Sequence, residues 1–300
     1  MFPILMQTIQ RDSAICFPML GNLTINPPSY FTVFGKNIYF YGVIIGLGFI
    51  LGMLYCARRS REFGLKPDDV YDLMIWLIPF SIIGARLYYV LFELENYLRH
   101  PAEIFAIREG GLAIYGGIIG ASLALILYCG LSKKRRAQML PSFDIIGLGL
   151  LIGQAIGRWG NFFNREAHGG VTDSFLRMGI IENGQLIYVH PTFLYESLWN
   201  LIGLALIHFL SKKRKFDGQV FLYYIIWYGL GRAWIEGLRT DSLYWGPFRV
   251  SQVLAAVSCL LAVGVLLYVL LVKRPDPANM LVNRAAASAG EPAPEETSEE

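Results

Sequence analysis

Ser142-Phe143-Asp144-Ile145-Ile146-Gly147-Leu148-Gly149-Leu150-Leu151-Ile152-Gly153-Gln154-Ala155-Ile156-Gly157-Arg158-Trp159-Gly160-Asn161-Phe162 has the length and apolarity of a helix that crosses a bilayer. It nevertheless carries an arginine. A charged side chain at the bilayer centre costs about 2.5–3.5 kcal/mol on insertion scales. Arg86 and Arg232 lie in runs of the same kind. Three such residues point to a polar, partly wet cavity that binds an anion.

Composition extends this reading to the whole chain. Its 300 residues are 54% hydrophobic and 16% charged, with mean hydropathy +0.44. Soluble domains carry about 25% charged residues. The expected class is an all-α polytopic membrane protein with seven transmembrane helices, near 38–57, 71–92, 111–131, 142–162, 191–210, 218–238 and 250–272. The four cysteines show no CxxC or Cys/His spacing that suggests zinc or a redox pair; no metal, no cofactor and no nucleic acid is expected. No cleavable signal peptide is expected in residues 1–20.

Lysine and arginine mark cytoplasmic loops. Arg58, Arg59, Arg61 and Lys66 follow span one; Lys133, Lys134, Arg135 and Arg136 follow span three. Lys212, Lys213, Arg214 and Lys215 follow span five; Lys273, Arg274 and Arg284 follow span seven. These make fifteen on one side, against eight on the other: Arg11, Lys36, Arg99, Arg108, Arg165, Arg177, Arg239 and Arg249. The alternation predicts an N-terminus outside and a C-terminus in the cytoplasm. Three regions follow: an extracytoplasmic segment 1–37, a seven-helix membrane domain 38–272 and a disordered acidic cytoplasmic tail 273–300. The stretch 164–190 reads as an irregular outer loop.

Orientation gives depth. Arg86 in span two, Arg158 and Asn161 in span four, and Tyr228, Arg232 and Glu236 in span six all lie toward the outer leaflet. The opposite-running spans start there, with Tyr41, Gly110 to Tyr115, and His190 to Glu196. Tyr228, Arg232 and Glu236 recur every four residues and share one helix face, which Arg239 continues. Gln154, Arg158 and Asn161 form a second stripe. An Arg232–Glu236 ion pair alone, or snorkelling by Arg158, accounts for single residues but not for one shared level. The small-xxx-small glycines of spans one and three fit close helix packing. Gly110-Gly111 also offers backbone N–H groups to an anion.

Gly157-Arg158-Trp159-Gly160-Asn161-Phe162-Phe163-Asn164-Arg165-Glu166 closely resembles the signature of bacterial prolipoprotein diacylglyceryl transferases. Phe40-Tyr41-Gly42, Gly84-Ala85-Arg86-Leu87, Glu109-Gly110-Gly111-Leu112, His190-Pro191-Thr192-Phe193-Leu194-Tyr195-Glu196 and the Tyr228 to Glu236 segment are similar to the same family, in order over about 30–275. The resemblance implies an enzyme of the bacterial cell membrane. It would move the diacylglyceryl group of phosphatidylglycerol onto the lipobox cysteine of a preprolipoprotein signal peptide. A thioether forms and glycerol phosphate leaves. Membrane lipids would surround the site.

Arginine forks match phosphate oxygens. Arg158 and Arg232 are assigned to the phosphate, Asn161 to the same oxygens or the headgroup hydroxyls, and Glu236 and Tyr228 to orienting Arg232. By resemblance, Tyr41, Asn164 and Glu166 join the site. One form of the family has a histidine where this chain has Tyr115. A phenol near pKa 10 is a poor base at neutral pH. Glu166, His190 and His168 remain as acceptors for the thiol proton. An anion transporter would need polar residues through the full depth. A rhomboid-type protease would need a serine in a Gly-x-Ser-x-Gly-like setting, which Ser81, Ser122 and Ser197 lack.

Overall fold

The computed structural model describes residues 14–107, 110–182 and 184–289. Arg11, Arg108, Glu109 and the end of the acidic tail lie outside the described residues. In chain order the elements are β1 Ile15–Phe17, β2 Leu23–Ile25, β3 Tyr30–Val33 and β4 Lys36–Tyr39. Then come α1 Phe40–Arg59, α2 Pro67–Phe92, α3 Leu94–Arg99, α4 Ile114–Gly130, α5 Lys133–Ala137 and α6 Met139–Asn164. The chain continues through β5 Met178–Glu182, β6 Gln185–Val189, α7 Thr192–Ser211, α8 Gln219–Leu238, β7 Tyr244–Trp245, β8 Phe248–Arg249, α9 Val250–Leu267 and α10 Leu281–Ala289.

A helix occupies each of the seven expected positions, within a few residues at the ends. Among the described residues, five helical stretches are long and apolar enough to cross a membrane: Phe40–Phe63, Pro67–Phe92, Met139–Asn164, Thr192–Ser211 and Val250–Lys273. α4 has only 17 residues, and α8 carries Arg232 and Glu236. Local chemistry sets the ends. Pro67 needs no hydrogen-bond partner at the first position of α2, and the Asp69 carboxylate accepts the Lys66 N–H at 2.8 Å.

The fold is mostly helical, not all-α. An antiparallel sheet of order β2-β1-β5-β6 replaces the expected irregular loop over 178–189 and recruits the segment before span one. Met178 to Glu182 and Gln185 to Val189 pair around Gly184, whose φ of +75° a glycine accepts without strain. The sheet buries Ile15, Met178, Ile180 and Val189 with Phe162 of α6 and Phe193 of α7. Two smaller hairpins, β3–β4 and β7–β8, run directly into α1 and α9.

The tail is also more ordered than its composition predicts. α10 occupies 281–289, its first N–H bound by Asp217 at 2.8 Å. A Cβ on Gly64 would lie 2.7 Å from the Val282 nitrogen, so helix and loop touch closely.

The contacts divide the chain into two compact units. One comprises residues up to Gly52, Gly147–Arg214 and Gln219–Pro275; the other comprises Met53–Ile146, Lys215–Gly218 and the chain from Asp276. In the second unit α2 and α4 approach at glycines. A Cβ on Gly120 would lie 2.2 Å from the Phe80 carbonyl oxygen, as small-residue packing requires.

Candidate functional site

The ends of α6, α7 and α8 bring three arginines to one carboxylate. Glu196, in the second turn of α7, lies 2.7 Å from Arg158 Nη2 and 3.4 Å from Arg232 Nη1 through Oε2, and 3.1 Å from Arg239 Nη1 through Oε1. Arg232 Nη2 lies 2.6 Å from Glu236, one turn further along α8. Arg239 is also held by Asp241, at 2.9 Å from Nε and 2.7 Å from Nη2. The side chains of Glu196 and Glu236 are 6% and 2% exposed, whereas Arg158 keeps 23% of its surface. Three cations therefore face three anions: Glu196 and Glu236 are buried, Asp241 is exposed, and the most open cation is Arg158.

A second chain of contacts leads away from Arg158. Its Nη1 donates to Asn161 Oδ1 at 3.4 Å, Asn161 Nδ2 donates to Glu166 at 3.1 Å, and Asn164 Nδ2 donates to the same oxygen at 3.3 Å. Glu166 is exposed. Beside this chain Trp159 Nε1 donates to Ser197 Oγ at 3.2 Å, tying α6 to α7 one residue beyond the Arg158–Glu196 pair. The Tyr41 ring covers Gly160: a Cβ there would lie 2.7 Å from Tyr41 Cδ2. Tyr41 thus packs on α6 two residues beyond Arg158.

Electrostatics outside the spans follow the same pairing. The Arg239 hydrogen bonds hold the Asp241 carboxyl below its ordinary range, and burial opposes this only in part. Burial disfavours charge on Arg239, but its bonds to Asp241 and the field of Glu196 and Glu236 keep its guanidinium above the ordinary range.

The structure brings together Arg158, Arg232, Arg239, Glu236, Asn161, Asn164 and Glu166, and Tyr41 packs nearby in sequence on Gly160. Other expected residues do different work. Tyr228 stacks on Tyr224, with ring centroids 5.9 Å apart, rather than serving as the partner expected for Arg232. His190 Nδ1 lies 3.3 Å from the Tyr195 hydroxyl, and its backbone pairs with Gly169 and Gly170. That strip reaches the site's rim, since Gly169 bridges to Arg239.

Arg86, Gly110 and Gly111 form a separate arrangement in the other unit. Arg86 Nε donates to the Ile104 carbonyl and Nη1 to those of Gly110 and Gly111, each at 2.9 Å; Nη2 donates to Glu103. Its guanidinium lies over the Tyr97 ring. Arg86 is 6% exposed, and its donors satisfy carbonyls left over at the end of a 3₁₀ turn. The two glycines, at φ +98° and +71°, turn carbonyl oxygens toward it. These contacts give the trio a structural role in the loop before α4. Tyr115 sits in the first turn of α4, its ring 6.4 Å from that of Tyr88.

Glu196 and Asp241 were missing from the residues expected at the site. Glu196 carried a usable signal: an acidic residue inside an apolar span needs a cation, and span five supplies none at helical spacing. Asp241 follows the end of span six and could not be told from a solvated charge.

The sequence profile described as Prolipoprotein diacylglyceryl transferase matches residues 28–268. A protein of Enterococcus faecalis named phosphatidylglycerol--prolipoprotein diacylglyceryl transferase is 44% identical over 265 residues, covering 85% of this chain and 93% of its own. A Bacillus cereus protein of the same name is 46% identical over 226 residues, covering 73% and 83%. The profile match spans every element of the arginine cluster, from Tyr41 to Asp241, and the chain belongs to the prolipoprotein diacylglyceryl transferase family.

Proposed function

We propose that this protein is a phosphatidylglycerol–prolipoprotein diacylglyceryl transferase of the bacterial inner membrane, acting near the outer leaflet. The observation that carries the site assignment is the meeting of Arg158, Arg232 and Arg239 at Glu196, with Arg158 still partly open. Phosphatidylglycerol carries one negative charge on its phosphodiester. Its phosphate gains charge as the glyceryl carbon–oxygen bond breaks. Guanidinium groups set in advance at that position stabilise the charge where it develops.

The lipobox cysteine is the nucleophile. Its thiol gives up a proton, the sulfur attacks the glyceryl carbon, the carbon–oxygen bond to phosphate breaks, and glycerol phosphate departs with the electron pair. Arg158 and Arg232 hold the phosphate through N–H groups not spent on Glu196, Glu236 or Asn161. Glu166 takes the thiol proton. It is exposed to an incoming peptide and connected through Asn161 to the phosphate-binding Arg158. Asn164 holds the same oxygen. His190 is the weaker acceptor, because its contacts run to Tyr195 and the glycine strip. Seven spans with the N-terminus outside belong to this reading. They place the helix ends that carry the cluster at the outer face.

The test is direct. Purified protein, phosphatidylglycerol and a lipobox peptide should give a peptide heavier by one diacylglyceryl group, blocked at its cysteine, together with free glycerol phosphate. Acylation of the peptide without glycerol phosphate would defeat the proposal.

A further inference from the structure

Two tryptophans interlock α7 and α8 in a reciprocal pattern. Trp199 Nε1 donates to the Trp227 carbonyl at 3.0 Å, and Trp227 Nε1 donates to the Trp199 carbonyl at 2.9 Å. The rings stack with centroids 4.4 Å apart and planes 18° apart. A carbonyl inside a helix is normally screened by the side chain four residues on. Here those residues are glycines: Gly203 follows Trp199, and Gly231 follows Trp227. A Cβ on Gly231 would lie 2.2 Å from Trp199 Nε1, and one on Gly203 would lie 2.1 Å from Trp227 Nε1. Each helix thus supplies one indole and one socket, a Trp-x-x-x-Gly on both sides.

The interlock admits one axial register. Sliding α7 along α8 breaks both hydrogen bonds and drives an indole out of a glycine socket into a neighbouring side chain. The register so fixed sets Glu196, one turn before Trp199, against Arg232, next to Gly231. Helix packing by apolar side chains alone tolerates small sliding. The Arg232 to Glu196 contact, at 3.4 Å, does not.

We propose that Trp199 and Trp227, with Gly203 and Gly231, are positioning residues for the reaction: they hold the α7–α8 register that presents Arg232 to the phosphate. The clasp rests on the transferase reading for its catalytic consequence, but its geometric part can be tested without turnover. Misplacing a catalytic group by about 1 Å can cost on the order of 100-fold in rate.

The experiment uses full-length protein with spin labels at Leu198 and Leu230, both exposed on α7 and α8, and parallel unlabelled enzyme for kinetics. The parent should give one narrow distance between labels. Gly231→Ala should shift or broaden it, erase the exciton couplet of the stacked indoles in circular dichroism, and lower kcat by about ten-fold or more. KM for phosphatidylglycerol should change much less, because Arg158 still holds the ground-state phosphate. Trp199→Phe keeps a ring and loses one N–H, so both effects should be smaller; it carries the same criteria if Gly231→Ala does not fold. An unchanged distance in a folded variant overturns the register claim. A shifted distance with parental kcat overturns the positioning claim. An inactive wild type whose Gly231→Ala variant still shows the register change would sink the transferase reading and leave the clasp standing as a register device only.

Discussion

Glu196 is the residue on which the cluster turns. Its two oxygens contact three guanidinium groups while its side chain is 6% exposed. Removing one partner of a buried ionic network costs about 3–5 kcal/mol, because the opposite charges are left uncompensated. Glu196→Ala should therefore lower detergent-solubilised thermal stability by several degrees as well as activity. A variant melting with the wild type would show that Glu236, Asp241 and solvent suffice to compensate the three arginines. Glu166 makes a cleaner test of chemistry, since it is exposed and carries no packing. Glu166→Gln should abolish most turnover with little change in melting, and Tyr115→His should preserve or raise activity. Tyr115→Phe inactive at every pH, in a folded protein, would move the proton transfer to the phenol.

Asp241 gives a pH prediction with a definite sign. Its folded pKa is depressed by Arg239, so its stabilising contribution is complete above its unfolded pKa near 4 and is lost as pH falls through the lower folded value. Melting measured downward from pH 6 should fall less steeply below about pH 4 in Asp241→Asn than in wild type. Parallel curves would mean the pair is solvent-screened and idle. Residues of the arginine stripes were legible in the sequence because helical spacing reports a shared face. The surroundings of Arg86 were not legible in this way: spacing reports depth and face, but not which carbonyls a loop folds over the guanidinium.

Among the elements, the positions of the seven long helices were legible because long apolar runs leave little choice. The sheet was only half legible. Two apolar runs flanking Asn183-Gly184 are a hairpin signal, but the pairing of Cys16 with Gly179 joins segments far apart in sequence, and no local pattern encodes that. α10 was hidden by averaging: the tail reads as Ala/Pro/Glu-rich, yet Arg284 to Ala287 is a run of good helix formers. Its N-terminus is held by Asp217 and it packs on Gly64. Asp217→Ala should cost about 1 kcal/mol, the usual loss at a helix N-terminus, and truncation after Pro275 should cost more. Both are read as melting temperature in detergent. A truncated chain that melts like the full one would make α10 an ornament of the fold.

For the whole molecule the alternation of basic loops predicts opposite sides for Lys215 and Gly170. Reporter fusions at those two positions should give opposite signals, and the same signal at both would remove the outer-leaflet placement of the cluster. The site's location at one end of α6, α7 and α8 agrees with that alternation, because the first and last of these carry arginines near their C-termini while α7 carries Glu196 near its N-terminus. The central claim is that the Arg158–Arg232 pair receives the phosphate whose departure drives transfer. The direct measurement is turnover on headgroup-labelled phosphatidylglycerol with a lipobox peptide, comparing wild type, Arg158→Ala and Arg158→Lys at matched folded concentration. Wild type should release one labelled glycerol phosphate per thioether formed. Arg158→Ala should fall by about 100-fold or more, and lysine should recover little of it, because its point charge cannot replace the fork. Near-normal release by a folded Arg158→Ala enzyme would contradict the account.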